Sequence, residues 1–305
     1  MSSVLCTKDL VKLFRGAKAL DRLNLDVPEG SVYALVGPNG AGKTTAIKIL
    51  MNILRPTLGS AEVLGVNSRD LGRRQFAEIG YVSENQELPG WMTVYYFMAY
   101  LKPFYPTWDD VLATELLRQF DLPLDRKLRH LSRGMWMKAA LASSLAYRPR
   151  LIVLDEPFTG LDPLVRDEFI EGLLGIAEGT TILISSHDIG EIETFASHIG
   201  YLDRGRMQFS EELTSLSARF REVEVTLDEM KQDGDAMVPP KWPPQWLNPE
   251  ASATLVRFVE SQFEDTSTRV AIGRLFPGVR NVAMRPMPLR AILVTLAKTG
   301  RKTAA

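Results

Sequence analysis

The sequence is poor in cysteine, with Cys6 alone in 305 residues. No internal disulfide framework can form, and that usage fits a reducing compartment. Cys6 lies in an alternating apolar stretch and reads as a small packed side chain, not a reactive thiol. The chain also lacks any run of about 18 apolar residues, so no segment is expected to cross a membrane as a helix. A bias toward one charge is missing too: 36 Lys and Arg face 37 Asp and Glu, for a net charge of −1. That balance gives no global attraction to nucleic acid or to an anionic membrane, and no nucleic-acid partner is expected. Residues 1–9 show no basic region followed by an apolar core, so no signal peptide is expected. No internal repeat or low-complexity tail is evident, and the Lys and Arg near residue 305 read as a frayed, solvated end. What is present is an apolar fraction of 45 %, ordinary for a globular core. The length predicts two domains.

The strongest pattern is Gly37-Pro38-Asn39-Gly40-Ala41-Gly42-Lys43-Thr44-Thr45, which fits the phosphate-loop form G-x-x-x-x-G-K-[ST]. It follows an apolar run at residues 32–36, read as a buried strand. It precedes residues 46–54, read as a helix with Ile47, Ile49, Leu50, Ile53 and Leu54 apolar. Strand, glycine loop and helix together are the context in which the pattern carries its mechanism, which a chance glycine-rich turn does not supply. The glycines let successive backbone N–H groups curl toward an anion, and the helix adds its positive end. Lys43 is placed to reach the β- and γ-phosphates, and the Thr44 hydroxyl to sit on Mg²⁺. A bound nucleoside triphosphate is the expectation.

Around this loop the pattern reads as α/β. Strands are expected at residues 5–14, 20–27, 60–66, 79–82, 151–154, 181–185 and 199–202, with a polar helix at 69–78. Residues 93–147 read as helical, with breaks at Pro103, Pro106, Pro123 and Ser132–Gly134, and 188–196 read as a further helix. The runs at 151–154 and 181–185 are continuously apolar or β-branched, as in parallel strands buried on both faces. Beyond Ser217 the texture changes. Strands are expected at 223–227, 255–259 and 279–284, helices at 268–275 and 289–298, and a proline- and tryptophan-rich loop at 231–249.

Four further elements follow the phosphate loop. The run at 151–154 ends in Asp155-Glu156, at the carboxyl edge of a sheet where ligands of open α/β folds bind. Asp155 suits holding Mg²⁺, and Glu156 suits orienting the attacking water; alone, two surface acids at a strand exit would be the competing reading. Leu131-Ser132-Arg133-Gly134-Met135 precedes a helical run, so Ser132 and Gly134 open a potential anion site, though Ser132 is equally a plain helix cap. Thr159-Gly160-Leu161-Asp162 is a turn close behind the acidic pair. Ser185-Ser186-His187-Asp188 ends the next strand, and His187 there can donate a hydrogen bond to a γ-phosphate oxygen. His130 and His198 have no such context and read as structural or surface residues.

Together these segments resemble the nucleotide-binding subunit of ABC transporters, in the family's order and spacing, over residues 4–210. The resemblance implies an α/β fold: a P-loop NTPase core with an antiparallel β subdomain and a helical subdomain at about 88–147, all within residues 1–217. Residues 218–305 would follow as a small α+β accessory domain, like the extension of ATPases serving ABC-2-type exporters. It implies ATP and Mg²⁺ as cofactors and ATP hydrolysis as the reaction. By position, Glu156 matches the catalytic glutamate, His187 the switch histidine, and Asp162 the aspartate that crosses between subunits. Phe14 falls where the family stacks an aromatic ring on adenine, with inward packing the competing reading. Ser132 and Gly134 match the signature loop, which in the family closes on the ATP of a second subunit. A head-to-tail homodimer, or a heterodimer with a sister ATPase, is therefore expected. So is an integral membrane permease as partner, with the chain held at the cytoplasmic face of the membrane through it.

Three positions depart from the family pattern. Arg133 and Met135 replace a glycine and a glutamine of the signature, which leaves the backbone donors of Ser132 and Gly134 in place. Glu84 stands where the family has a glutamine near the metal; a carboxylate can ligate Mg²⁺ but adds negative charge beside a phosphate. Gln86, two residues on, is the alternative for that role. Trp91, Tyr95, Tyr96, Phe97, Tyr100, Phe104, Tyr105 and Trp108 crowd one segment, and interface and core are equally open readings. A non-transport ABC-type ATPase acting in DNA repair, translation or protein assembly is the alternative function. A small-molecule kinase or GTPase would share the phosphate loop but leave the segments at 131–135 and 185–188 unexplained.

Overall fold

The computed structural model describes residues 2–175, 179–228, 242–252 and 254–303, with side chains through residue 296. The chain divides into two compact units, Met1–Ser210 and Glu211–Ala305.

The first unit opens with β1 (Ser3–Phe14), β2 (Ala17–Pro28) and β3 (Val32–Val36), then α1 (Lys43–Leu50), β4 (Leu58–Val63), β5 (Val66–Asn67) and α2 (Arg73–Phe76). It continues through β6 (Ile79–Ser83), α3 (Val94–Leu101), α4 (Asp110–Gln119), α5 (Arg133–Leu145), β7 (Leu151–Asp155), α6 (Pro163–Leu174), β8 (Thr181–Ser186), β9 (His198–Asp203) and β10 (Arg206–Glu212). Two sheets result. An antiparallel sheet has the order β2-β1-β4-β5, and a six-stranded sheet has the order β10-β9-β3-β8-β7-β6. In the second, β6, β7, β8, β3 and β9 run parallel. Every residue of β7 and β8 is buried, which is why their sequences are continuously apolar or small. One apolar cluster joins the two sheets through α1: Leu5, Leu23 and Val27 pack with Leu35, Ile47 and Leu50. The loop from Gly37 to Gly42 is thereby fixed between a buried strand and a helix whose inner face is core.

Several local expectations need correction. The helix at 46–54 begins at Lys43 and stops at Leu50, with Asn52 left-handed at φ 55°. The strand at 60–66 is two strands, because Leu64 and Gly65 turn the chain at φ 52° and 75°. The helix at 69–78 is reduced to the four residues of α2. The helix at 188–196 is only a 3-10 turn at Ile189–Glu191. There the Ser186 hydroxyl accepts the Asp188 N–H at 3.0 Å and the Asp188 carboxylate accepts the Gly190 N–H at 3.0 Å, so the start is capped as a helix start would be, but only one 3-10 turn follows it.

Of the aromatic segment, Phe97 is core, whereas Trp91, Tyr95, Tyr96, Tyr100 and Phe104 are 47–64 % exposed. Tyr105 stacks on Tyr147 with ring centres 3.8 Å apart.

The second unit contains α7 (Leu213–Arg219), β11 (Arg221–Leu227), β12 (Trp246–Ala251), β13 (Leu255–Glu260), α8 (Asp265–Leu275), β14 (Val279–Pro286) and α9 (Leu289–Thr303). Its sheet has the order β12-β13-β11-β14, all pairs antiparallel. β12 lies in the segment expected to be a loop, whose residues 231–241 fall outside the described residues. Prolines disguised it: Pro249 is tolerated because β12 is an edge strand with a register shift between Leu247 and Glu250. Trp246 anchors it, 3 % exposed and stacked on Phe258 at 3.8 Å.

Candidate active site

The loop at residues 37–42 leaves β3 at the carboxyl edge of the parallel strands. Its glycines are required individually. A Cβ on Gly37 would stand 2.1 Å from the Leu202 carbonyl oxygen, and one on Gly42 would stand 2.6 Å from that of Ala19. Gly40 and Gly42 are left-handed, at φ 79° and 109°. Gly42 is the N-cap of α1 and offers no side-chain acceptor, so the first-turn N–H groups are available to an anion. Lys43 is 5 % exposed; its Nζ donates to the carbonyls of Gly37 at 2.6 Å and Pro38 at 3.3 Å. The same ammonium pairs with Glu156 Oε1 at 3.0 Å.

Asp155 ends β7, directly opposite Ser185 of β8 in the parallel register. Its Oδ1 accepts from Thr44 Oγ1 at 3.0 Å and from Ser185 Oγ at 2.9 Å. Burial pushes the Asp155 carboxyl up from its ordinary value, against these hydrogen bonds. Ser185 also accepts the Glu156 N–H at 3.0 Å, which pins the backbone behind the acid pair. In the sequence Ser185 is only part of a strand end; strand pairing, not local sequence, gives it this role.

Glu156 is a non-glycine residue in the left-handed region, at φ 52°. Such strain persists only where surrounding contacts hold it, and here it turns the carboxylate back over the loop. Glu156 Oε1 faces Lys43, while Oε2 meets His187 Nδ1 at 2.7 Å and Thr159 Oγ1 at 3.5 Å. Burial raises the Glu156 carboxyl, but the His187 hydrogen bond and the Lys43 charge outweigh it and hold the group below its ordinary value. His187 is raised in turn, chiefly by that hydrogen bond; desolvation opposes it, and the charges of Glu156 and Glu191 add to the rise against that of Lys43. Lys43, Glu156 and His187 thus form a continuous cation–anion–imidazole chain.

These groups line one cleft of about 660 Å³, together with Phe14, Asn39, Gly40, Ala41, Gly42, Thr44, Thr45, Glu84 and Thr159. Phe14 is 45 % exposed, with Lys12 Nζ 5.0 Å from its ring centre; the ring faces the cleft and is not packed inward. The Glu84 N–H donates to the Asp155 carbonyl at 3.1 Å, and its Oε1 accepts from Arg133 Nη2 at 2.6 Å. Gln86 lines a neighbouring groove that also includes Glu84 and Arg133. Among the described residues no group of three or more His, Cys, Asp or Glu is arranged to hold a metal ion by itself. Thr44 and Asp155 instead offer one hydroxyl and one carboxylate, a donor set that fits Mg²⁺ completing its shell with water and phosphate oxygens.

Six expected site residues do not line this cleft: Gly37, Pro38 and Asp155 adjoin it through their bonds to Lys43 and Thr44, while Ser132, Gly134 and Asp162 stand at the starts of α5 and α6. The Ser132 hydroxyl caps α5 by accepting the Met135 N–H at 3.2 Å. Asp162 caps α6 by accepting the Val165 N–H at 3.0 Å. Gly134 allows α5 and α6 to touch: a Cβ there would stand 2.7 Å from Val165 Cγ1. Of the two histidines left aside, His130 meets the Arg129 side chain and His198 stacks beside Tyr33.

The chain is similar to several known proteins. The ABC transporter family profile matches residues 20–159. A daunorubicin/doxorubicin resistance ATP-binding protein of Streptomyces peucetius is 36 % identical over 66 % of this chain and 63 % of its own length. A bacitracin transport ATP-binding protein of Bacillus licheniformis is 32 % identical over 68 % of this chain and 69 % of its own. A lantibiotic transport ATP-binding protein of Streptococcus pyogenes is 34 % identical over 67 % of this chain and 89 % of its own. Among solved structures, a dimeric ATP-binding cassette holding ADP and phosphate is 26 % identical, with a TM-score of 0.62 over 68 % of this chain and 98 % of that one.

Proposed function

The chain belongs to the ABC transporter family as an ATP-binding protein, and on that premise we propose that it hydrolyses ATP to power a separately encoded membrane permease, in export. The observation that carries the catalytic part is the convergence of Lys43, Thr44, Glu156 and His187 on one cleft, with the buried Asp155 carboxylate accepting from Thr44.

In this reading the triphosphate lies along the loop at residues 37–45 and takes over Lys43, which without it is balanced by Glu156. Charge-assisted contacts of this kind are the strong ones in a desolvated site. Glu156, released from the ammonium, orients and polarises the water that attacks the γ-phosphorus. The bond from that phosphorus to the bridging oxygen breaks, giving ADP and phosphate. His187 keeps its tie to Glu156 and donates its other ring N–H to a γ-phosphate oxygen. Mg²⁺, held by Thr44 and Asp155, would neutralise charge on the phosphates. Phe14 would stack on adenine.

Ser132, Gly134 and Asp162, which lie outside the chain's own cleft, would serve the ATP of a second subunit packed head to tail. The likeness to a dimeric cassette supports that arrangement. Among the described residues no helix is long and apolar enough to cross a membrane, so transport work needs a permease. The exposed rings at Trp91, Tyr95, Tyr96, Tyr100 and Phe104 are the face proposed to meet it, which would hold the chain at the cytoplasmic side of the membrane. The relatives' names in drug resistance, bacitracin transport and lantibiotic transport favour this reading over DNA repair, translation or assembly. Residues 218–305 are proposed as an accessory domain that supports dimerisation.

The test is Glu156→Gln. It should keep ATP affinity within about two-fold, slow hydrolysis by about 10²–10⁴-fold, and shift the protein to a dimer in size-exclusion chromatography with Mg-ATP. Hydrolysis at the wild-type rate would move the catalytic role elsewhere.

A further inference from the structure

We propose that Arg133 is a positioning residue for the nucleotide cleft: it neutralises Glu84 at the cleft rim and ties two cleft-lining segments to the start of α5. The proposal rests on the cleft being the ATP site.

Charge balance motivates it. Among the described residues lining the cleft, Lys43 is the one full cation and faces two carboxylates, Glu84 and Glu156. Lys43 and His187 already answer Glu156, which leaves Glu84 as the carboxylate of the lining that an entering polyphosphate meets, and like charges in a partly desolvated site repel. Glu84 cannot simply swing clear from its base, because its N–H is bonded to the Asp155 carbonyl at 3.1 Å. Its carboxylate is instead met by Arg133 Nη2 at 2.6 Å, across 49 positions of sequence.

Arg133 is itself poorly placed without that partner. It is the first residue of α5, where a cation opposes the positive end of the helix dipole. A carboxylate at 2.6 Å answers that cost, so each charge offsets the unfavourable position of the other. The same guanidinium packs on the turn behind the acid pair: a Cβ on Gly160 would stand 3.3 Å from Arg133 Cζ and Nε. Gly160 is left-handed at φ 71°, so the turn is shaped to pass under the arginine. Thr159, next to it, lines the cleft. One side chain thus touches the segments of both Glu84 and Thr159.

The test is titration of the whole chain with a fluorescent ATP analogue in EDTA, so that no metal enters the comparison. Thermal unfolding of each variant serves as a folding check. Arg133→Ala should weaken binding about two- to five-fold, the range for a partly exposed ion pair. Arg133→Lys should recover most of the loss. Adding Glu84→Gln to Arg133→Ala should return affinity to within about two-fold of wild type, because the carboxylate that needed neutralising is gone. Arg133→Gln, closer in length, replaces the alanine variant if that one unfolds. Wild-type affinity in Arg133→Ala or Arg133→Gln would overturn the proposal. So would a double variant no better than Arg133→Ala, since a purely structural arginine would not be rescued by neutralising Glu84. Lys43→Ala in the same titration separates the premises: wild-type binding there would remove the ATP-site reading, whatever Arg133 does.

Discussion

The helix starts at α1 and α5 are the same device put to different use. Both present first-turn backbone N–H groups at a helix start with a glycine beside it, Gly42 before α1 and Gly134 inside α5, and both are read from sequence as anion sites. At α1 the cap is Gly42, which has no side chain to satisfy those donors, and the loop around it lines a cleft. At α5 the cap is Ser132, whose hydroxyl already takes the Met135 N–H, and α6 repeats this with Asp162 and the Val165 N–H. The first start therefore leaves its donors open to a cleft of its own chain. The second is complete as a capped helix, and a ligand there must come from outside and compete with the cap.

The sharpest way to break this contrast is at Lys43. Lys43→Ala removes the cation that sits between the loop carbonyls and Glu156. Hydrolysis should fall below detection, and nucleotide affinity should drop by at least ten-fold, consistent with a charge-assisted contact of roughly 1.5–3 kcal/mol. Equilibrium binding and steady-state phosphate release measure both, and a wild-type rate would erase the distinction between the two helix starts.

Ser132→Arg probes the other side. A bulky cation at the start of α5 should abolish hydrolysis by blocking closure on a second subunit, while nucleotide affinity of the single chain stays within about two-fold. A loss of affinity as large as that of Lys43→Ala would place Ser132 in the chain's own pocket. Ser132→Ala sharpens the cap reading. Losing the acceptor should cost about 1 kcal/mol of stability, seen as a lower denaturation midpoint. Unchanged stability would mean that the hydroxyl is not holding the helix start.

The smallest effect expected is a pH dependence of the Glu156–His187 pair. Glu156 is held below its ordinary 4.5 and His187 above its ordinary 6.5. The glutamate contributes above 4.5 and loses its contribution as pH falls through its depressed value. The histidine contributes below 6.5 and loses its contribution as pH rises through its elevated value. The pair should thus help most between those two ordinary values. His187 is 39 % exposed at its side chain, so solvent screening keeps the effect modest. The difference in melting temperature between wild type and His187→Ala should be greatest near pH 5.5 and shrink above pH 6.5. A difference that grows with pH would reverse the assigned charges.

Much of the site was legible because its signals are local. A glycine loop between an apolar run and a helix, and an apolar strand ending in two acids, each state their geometry within about ten residues. The secondary structure around them was less legible. A capped start at Asp188 is followed by one 3-10 turn and not by the expected helix, and an edge position with a bulge lets β12 carry Pro249. Periodicity does not register either effect.

Residue type and short-range spacing account for the phosphate loop, the acid pair, the buried parallel strands and the absence of disulfides. Tertiary structure alone decided what those groups touch. The Asp155–Ser185 contact spans 30 positions and exists because β7 and β8 pair in one particular register. The left-handed turn at Glu156, its sharing between Lys43 and His187, and the grip of Arg133 on Glu84 depend on where separate strands and helices end in space. No local pattern encodes those distances, because strand register and helix packing are settled by burial of the whole core.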